Sequence, residues 1–256
     1  MSTPRVALAW FKAWGRAGMF AFAAAAAALS FSAYTARTRA VAMKQVYFGA
    51  WQVLPGFTLF AALLSLVVIQ ITLSLARGYG LAQFALELVF RAVVLELVPF
   101  LTALYVALRS GAAIVTEVAL MQMSGELEQL RAADIDPYER EFVPRIAASA
   151  IAVFALTIVS SSVVMGIAYL VMYGTSPWGF AEYSRTVALV FSPAVLAGFM
   201  FKGFVFGAVV AVIPIAAGLD ATRNEKSVPV AVMGGMVRLF VALALIELIA
   251  LAVKYV

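Results

Sequence analysis

Ionisable side chains are scarce in this sequence, so each one that interrupts an apolar run is a candidate for chemistry. The chain has 18 Lys and Arg and 13 Asp and Glu in 256 residues. Glu87, Arg91 and Glu96 fall within one long apolar stretch, followed by Pro99. Charges at membrane depth are costly and turn toward a partner or a wet cavity. Glu87 and Arg91 are four apart and can pair on one helical face. Glu96 has no cation at three or four residues' spacing, so it pairs with another helix or lines a polar cavity. Arg109 and Glu117, with Gly111 between them, share a face if the helix continues, which suits an ion pair at the membrane rim. Lys202, Arg238 and Glu247 stand in later apolar runs, and their spacing does not assign partners.

Several classes of chemistry are excluded by what the sequence lacks. It has no Cys and no His. Serine–histidine and cysteine–histidine catalysis, disulfides and the commonest metal ligand are therefore absent. No GxxxxGK[ST] phosphate loop occurs, so ATP chemistry would have to come from another chain. A carboxylate enzyme built on Glu96 and Glu117 is the residual catalytic option.

One stretch has the opposite character. Glu126–Arg145 reads ELEQLRAADIDPYEREFVPR, with nine charges in twenty residues. Ser124 can cap a helix, and Glu126 and Glu128 then suit the positive end of its dipole. Met123, Leu127 and Leu130 form one apolar stripe. Asp136-Pro137 is a stop signal. The expectation is a short amphipathic helix of about residues 124–136, either a solvated loop helix or a docking element for a soluble partner.

The elements that must position these groups are membrane spans. The sequence is 65% hydrophobic and 12% charged, against about half and a quarter in soluble domains. Its apolar runs are continuous and exceed the ~20 residues that cross a bilayer, which argues against a β-barrel. Five spans are predicted: Val53–Ala76, Leu81–Leu108, Ile146–Tyr173, Val187–Ala217 and Val228–Val253, with the second helix able to run on through Gly111–Met123. The fold class is all-α and polytopic, a single domain over 1–256 with a five-span core from 53. Residues 1–52 hold Arg5, Lys12, Arg16, Arg37, Arg39 and Lys44 and no acid, which places the N-terminus in the cytoplasm. Within them Met19–Tyr34 is short for a span. It reads as an interfacial elbow with Trp10, Phe11 and Trp14 at headgroup depth, or alternatively as a signal peptide. The charged stretch and the loop bearing Arg223 and Lys226 then face inward. The loops Ala76–Gly80 and Gly174–Thr186 face outward, with the C-terminus. The net charge of +5 is topological and does not suggest nucleic acid.

The run from Glu96 to Arg145 resembles the MlaE/YrbE permease family, the membrane subunits of MCE-associated ABC lipid transporters. Glu96, Pro99, Arg109, Gly111, Glu117, Met121, Leu130, Asp136, Pro137, Pro144 and Arg145 keep the family's register, and Gly15–Gly18 (GRAG) resembles its N-terminal GRxG. Leu95, Val98 and Leu108 replace family Arg, Gly and Gly. Gly125-Glu126 stands at the family's Glu-Gln, and the loop before the last span differs. The resemblance implies a homodimeric permease in the inner membrane of a Gram-negative-type bacterium, without a cofactor of its own. It also implies a cytoplasmic ABC ATPase that binds ATP and Mg, an MCE-protein hexamer outside, a small accessory protein, and phospholipid as cargo. Glu96, with Arg91 and Pro99 on the same helix, would lie near the lipid pocket. The charged helix would couple to the ATPase: Leu127 and Leu130 in an apolar groove, with Glu126, Glu128, Arg131 and Asp136 as polar contacts and Pro137 and Arg145 closing the motif. A membrane scaffold without transport and a lipid-modifying enzyme are the alternatives.

Overall fold

The computed structural model describes residues 14–15, 18–20, 53–221 and 227–255. Its helices are α1 (Leu54–Gly78), α2 (Ala85–Ser124), α3 (Glu126–Ala132), α4 (Tyr138–Tyr173), α5 (Phe180–Val190), α6 (Pro193–Leu219) and α7 (Val228–Tyr255). Five of them, α1, α2, α4, α6 and α7, are long and apolar enough to cross a bilayer. Among the described residues the expected all-α, five-span class is the observed one. The interfacial elbow expected over Met19–Tyr34 lies, beyond Met19 and Phe20, outside the described residues, as do Arg223 and Lys226. Phe20 itself is buried against Tyr138 and Phe142, with ring centroids 5.6 and 5.7 Å away.

Helix α2 is the spine. At 1.5 Å per residue, its 40 residues extend roughly 60 Å, about twice the hydrocarbon thickness of a bilayer. It is not uniformly wound. Phe90–Leu97 and Ala107–Gly111 are π-helical. The first wide turn has a local cause: Pro99 has no amide proton, and just before it the Val98 amide donates five residues back, to Val93 O. The Thr102 hydroxyl donates to Val98 O at 2.7 Å, keeping that polar group satisfied inside the apolar layer.

Two boundaries differ from the sequence expectation. The fourth span begins at Pro193, not near Val187. Ser192 is extended and accepts from the Val195 amide, and Pro193 takes the first helical turn. The preceding residues form the separate helix α5, tied down by the Tyr183 hydroxyl donating to Met165 O at 3.0 Å. The short helix is α3, and its limits are set by other residues than expected. Ser124 ends α2, donating to Met121 O, and Gly125 makes the turn at φ +75, a conformation glycine adopts without steric cost. At the far end Asp134 is left-handed (φ 58) and the Ile135 amide returns to Leu130 O. Asp136 therefore does not stop α3. Its Oδ1 accepts from the Tyr138 amide at 2.9 Å, at the start of α4, with Pro137 buried beside it.

Packing divides the bundle into three apolar clusters along its length. One joins Ile69–Ala76 of α1, Ala85–Val98 of α2, and Val164 and Ala168 of α4. The middle one joins Phe57, Val106, Leu156, Phe206 and Leu243. The third joins Val118, Met121, Leu127, Phe142 and Ile215. Close backbone approach holds α6 to α4: a Cβ on Gly207 would lie 2.5 Å from Ala150 Cα. Small residues at such crossings are how helices gain contact where no hydrophobic effect separates them from lipid.

Candidate functional site

The residues singled out for chemistry collect at opposite ends of the bundle. At one end, the first half of α6 and the last half of α7 run antiparallel beside the first π-helical turn of α2. They enclose a cavity of about 670 Å³. Its walls are apolar, including Leu95, Val195, Phe199, Phe201, Ile246 and Val253, and its charged lining is Glu96, Lys202 and Lys254. The size is that of a small-molecule cleft, and the pattern of apolar walls with a few convergent polar groups is that of a binding site.

The charges in this cavity are linked. Lys202 of α6 donates to Glu96 Oε2 and lies 2.7 Å from Glu247 Oε2 of α7. Lys254 of α7 donates to Glu96 Oε1 at 2.5 Å. Three helices are thus joined by alternating charges, Glu247–Lys202–Glu96–Lys254. Glu96 has the interhelical partners that its local spacing could not supply, and it also lines the cavity. Lys202 is the more enclosed ammonium, its side chain 8% exposed against 24% for Lys254. Burying a charge without a partner would cost several kcal/mol, and the two-fold pairing of Lys202 removes that cost. Glu247 is outside the cavity lining.

Arg91 and Pro99 do not line this cavity. Arg91 donates to Glu87 at 2.8 Å, the four-residue pair anticipated from spacing. Pro99 is buried in the helix packing.

At the other end, the Glu117 carboxylate takes Arg145 as its partner, at 2.7 Å, in place of the expected Arg109. Arg145 does not belong to the short helix. It sits in the first turns of α4, 8% exposed, and also reaches Glu141 at 3.4 Å. The pair forms one wall of a crevice of about 570 Å³ that includes Met121, Met123 and Glu126. Arg109 is exposed in the second π-helical turn. Gly111 is a contact point: a Cβ there would meet Met236 Sδ of α7 at 2.8 Å. Nearby, Arg238 donates to Asp220 at 3.4 Å, linking α7 to the end of α6.

Helix α3 carries the largest correction. Leu127 is 1% exposed and belongs to the third apolar cluster, so it anchors α3 to the bundle and cannot enter a partner's groove. Leu130 and Glu128 are half-buried. Glu126, Gln129, Arg131 and Asp134 are exposed. The surface α3 presents outward is therefore polar.

Sequence reasoning missed Lys254 as a member of the site and left the partners of Lys202 and Glu247 open. The only local signal was that each interrupts an apolar helix. Their pairing joins residues up to 158 apart, which no local periodicity encodes.

Comparison with known proteins places the whole arrangement in context. The family model described as Permease MlaE matches residues 42–253. Protein trigalactosyldiacylglycerol 1 of the Arabidopsis thaliana chloroplast is 31% identical over 154 residues, 57% of this chain and 43% of that one. A probable ABC transporter permease protein of Synechocystis is 29% identical over 136 residues, 52% of this chain and 51% of its own. One of Rickettsia conorii is 28% identical over 183 residues, 66% of this chain and 70% of its own. The alignments to the plant and cyanobacterial proteins thus span about half the length of those relatives or less.

Proposed function

The chain belongs to the MlaE permease family, and from that premise we propose that it is the membrane subunit of an ABC-type lipid transporter. The observation that carries this reading is the apolar cavity of about 670 Å³ with charges at one side, set between α2, α6 and α7. It fits an amphiphile: acyl chain against Phe199, Phe201 and Ile249, head group toward Glu96 and the lysines. The plant relative bears the name of a glycolipid, which supports lipid as the cargo class; phospholipid is the lipid we propose.

The polar outer surface of α3 is proposed to meet a cytoplasmic ATPase. Since Leu127 faces inward, that contact rests on Glu126, Gln129, Arg131 and Asp134, with Leu130 at its edge. The chain then works as a homodimer in the inner membrane, N-terminus inside, with an MCE-protein hexamer over the cavity end and a small accessory protein on the ATPase. The permease is non-catalytic. ATP binding and hydrolysis on the partner would bias two arrangements of the bundle, and α2 and α6 both run from the cavity to the packing around α3.

The test is lipid extraction from the purified chain. Gly198 lines the cavity, and a Cβ there meets nothing within 4 Å, so Gly198→Trp is the variant chosen to occupy the space. Mass spectrometry should find lipid retained by the native chain and lost from the variant. Equal retention would contradict the pocket.

A further inference from the structure

The charge pattern of the cavity bears on which head group would suit it. This rests on the lipid-pocket reading above and specifies it. The four side chains Glu96, Glu247, Lys202 and Lys254 cancel in formal charge, and Lys202 is already held between two carboxylates. The Lys254–Glu96 pair faces the cavity, at the more open end of the chain of charges. A ligand can enter this network only by exchanging that pair for new ones.

Three head-group classes would have different consequences. An anionic lipid can take Lys254 through its phosphate, but then Glu96 loses one cation and the cluster becomes net negative in a low-dielectric site. A zwitterion offers two new pairs for the one it opens: phosphate to Lys254, ammonium to Glu96, with balance kept. The geometry around Glu96 separates zwitterions further. Its carboxylate is built to accept charge-assisted hydrogen bonds from primary ammonium groups, two of which it holds now. A primary ammonium on the lipid can replace Lys254 Nζ like for like. A quaternary ammonium has no N–H to donate and would leave Glu96 Oε1 without a hydrogen bond.

We propose that Glu96 and Lys254 are specificity-determining residues and that the cavity selects a zwitterionic phosphodiester lipid with a primary ammonium, a phosphoethanolamine head group. Lys254 takes the phosphate and Glu96 takes the ammonium on Oε1, while Lys202 stays held between Glu96 Oε2 and Glu247.

The experiment uses the full chain reconstituted in vesicles of equal parts phosphatidylethanolamine, phosphatidylcholine and phosphatidylglycerol with identical acyl chains. The protein is re-extracted and its retained lipid counted by head group, with Gly198→Trp as background. The native chain should retain the ethanolamine lipid about tenfold over either competitor, the equivalent of ~1.4 kcal/mol. Glu96→Gln makes the cluster net positive and should reverse the preference toward the glycerol lipid. Lys254→Met, at the half-open end where folding is least at risk, should abolish the ethanolamine preference. A merely structural role for Glu96 would lower all three lipids together. Retention above background with no preference, or with the glycerol or choline lipid favoured in the native chain, overturns the head-group assignment while leaving the pocket standing. No lipid above the Gly198→Trp background overturns both.

Discussion

Lys202 shows how a single residue can hold a membrane site together. It lies between Glu96 and Glu247, and all three side chains are largely enclosed. Lys202→Met would leave two carboxylates facing one remaining cation, Lys254. The expected cost is on the order of 3–5 kcal/mol, the usual price of stranding a buried charge, read as a lower Tm of the detergent-solubilised protein. Adding Glu247→Gln should recover part of the loss, because Glu96 and Lys254 then balance. An unchanged Tm for Lys202→Met would show that the cluster carries no such stabilisation. At this scale the sequence was informative in one direction only. Glu87 and Arg91 could be paired because they are four apart on one helix. Glu96 could be marked as needing a partner, but Lys202 is 106 residues away and Lys254 is 158, and helical periodicity says nothing across such distances. For the same reason Glu117 was paired with Arg109 on its own helix, when the structure gives it Arg145 of α4.

Among the elements, α3 separates two properties that a helical stripe confounds. The spacing of Leu127 and Leu130 shows an apolar face. It does not show whether that face meets the chain itself or a partner. Leu127 turns inward, among Val118, Met121 and Phe142, and the exposed side is polar. Leu127→Asp should therefore damage folding, lowering Tm as an unpaired buried charge does. Gln129→Glu with Arg131→Glu should leave Tm unchanged and weaken association with the partner ATPase about tenfold, the equivalent of ~1.4 kcal/mol. Pull-down and thermal melts on the same preparations separate the two. If the double surface variant binds as well as the native chain, α3 is not the docking element. The element boundaries follow a similar pattern. Gly125 was a usable signal for the α2–α3 turn, since glycine is the residue that closes helices at positive φ. Ser192-Pro193 was another, but the hydropathy runs on through Val187–Val190 and hides the break. The π-helical turns of α2 had no such signature beyond Pro99.

For the whole molecule, composition alone fixed the class: a chain this apolar and this poor in charge must be a helical membrane protein. Five spans follow from run length, and five are present among the described residues. What run length could not supply is the three-dimensional order of those spans, and hence the cavity, because α2, α6 and α7 meet there from distant parts of the chain. The proposed function requires that this cavity hold lipid, as distinct from the lipid that bathes every span. A photo-crosslinking side chain placed at Val205, in the cavity wall, or at Leu63, exposed on the outer face of α1, distinguishes the two. In native membranes both should yield lipid adducts. Adding Gly198→Trp should remove the adduct at Val205 and leave that at Leu63 intact. An adduct at Val205 that survives the cavity-filling change, or falls in parallel with Leu63, would contradict a lipid site between these helices.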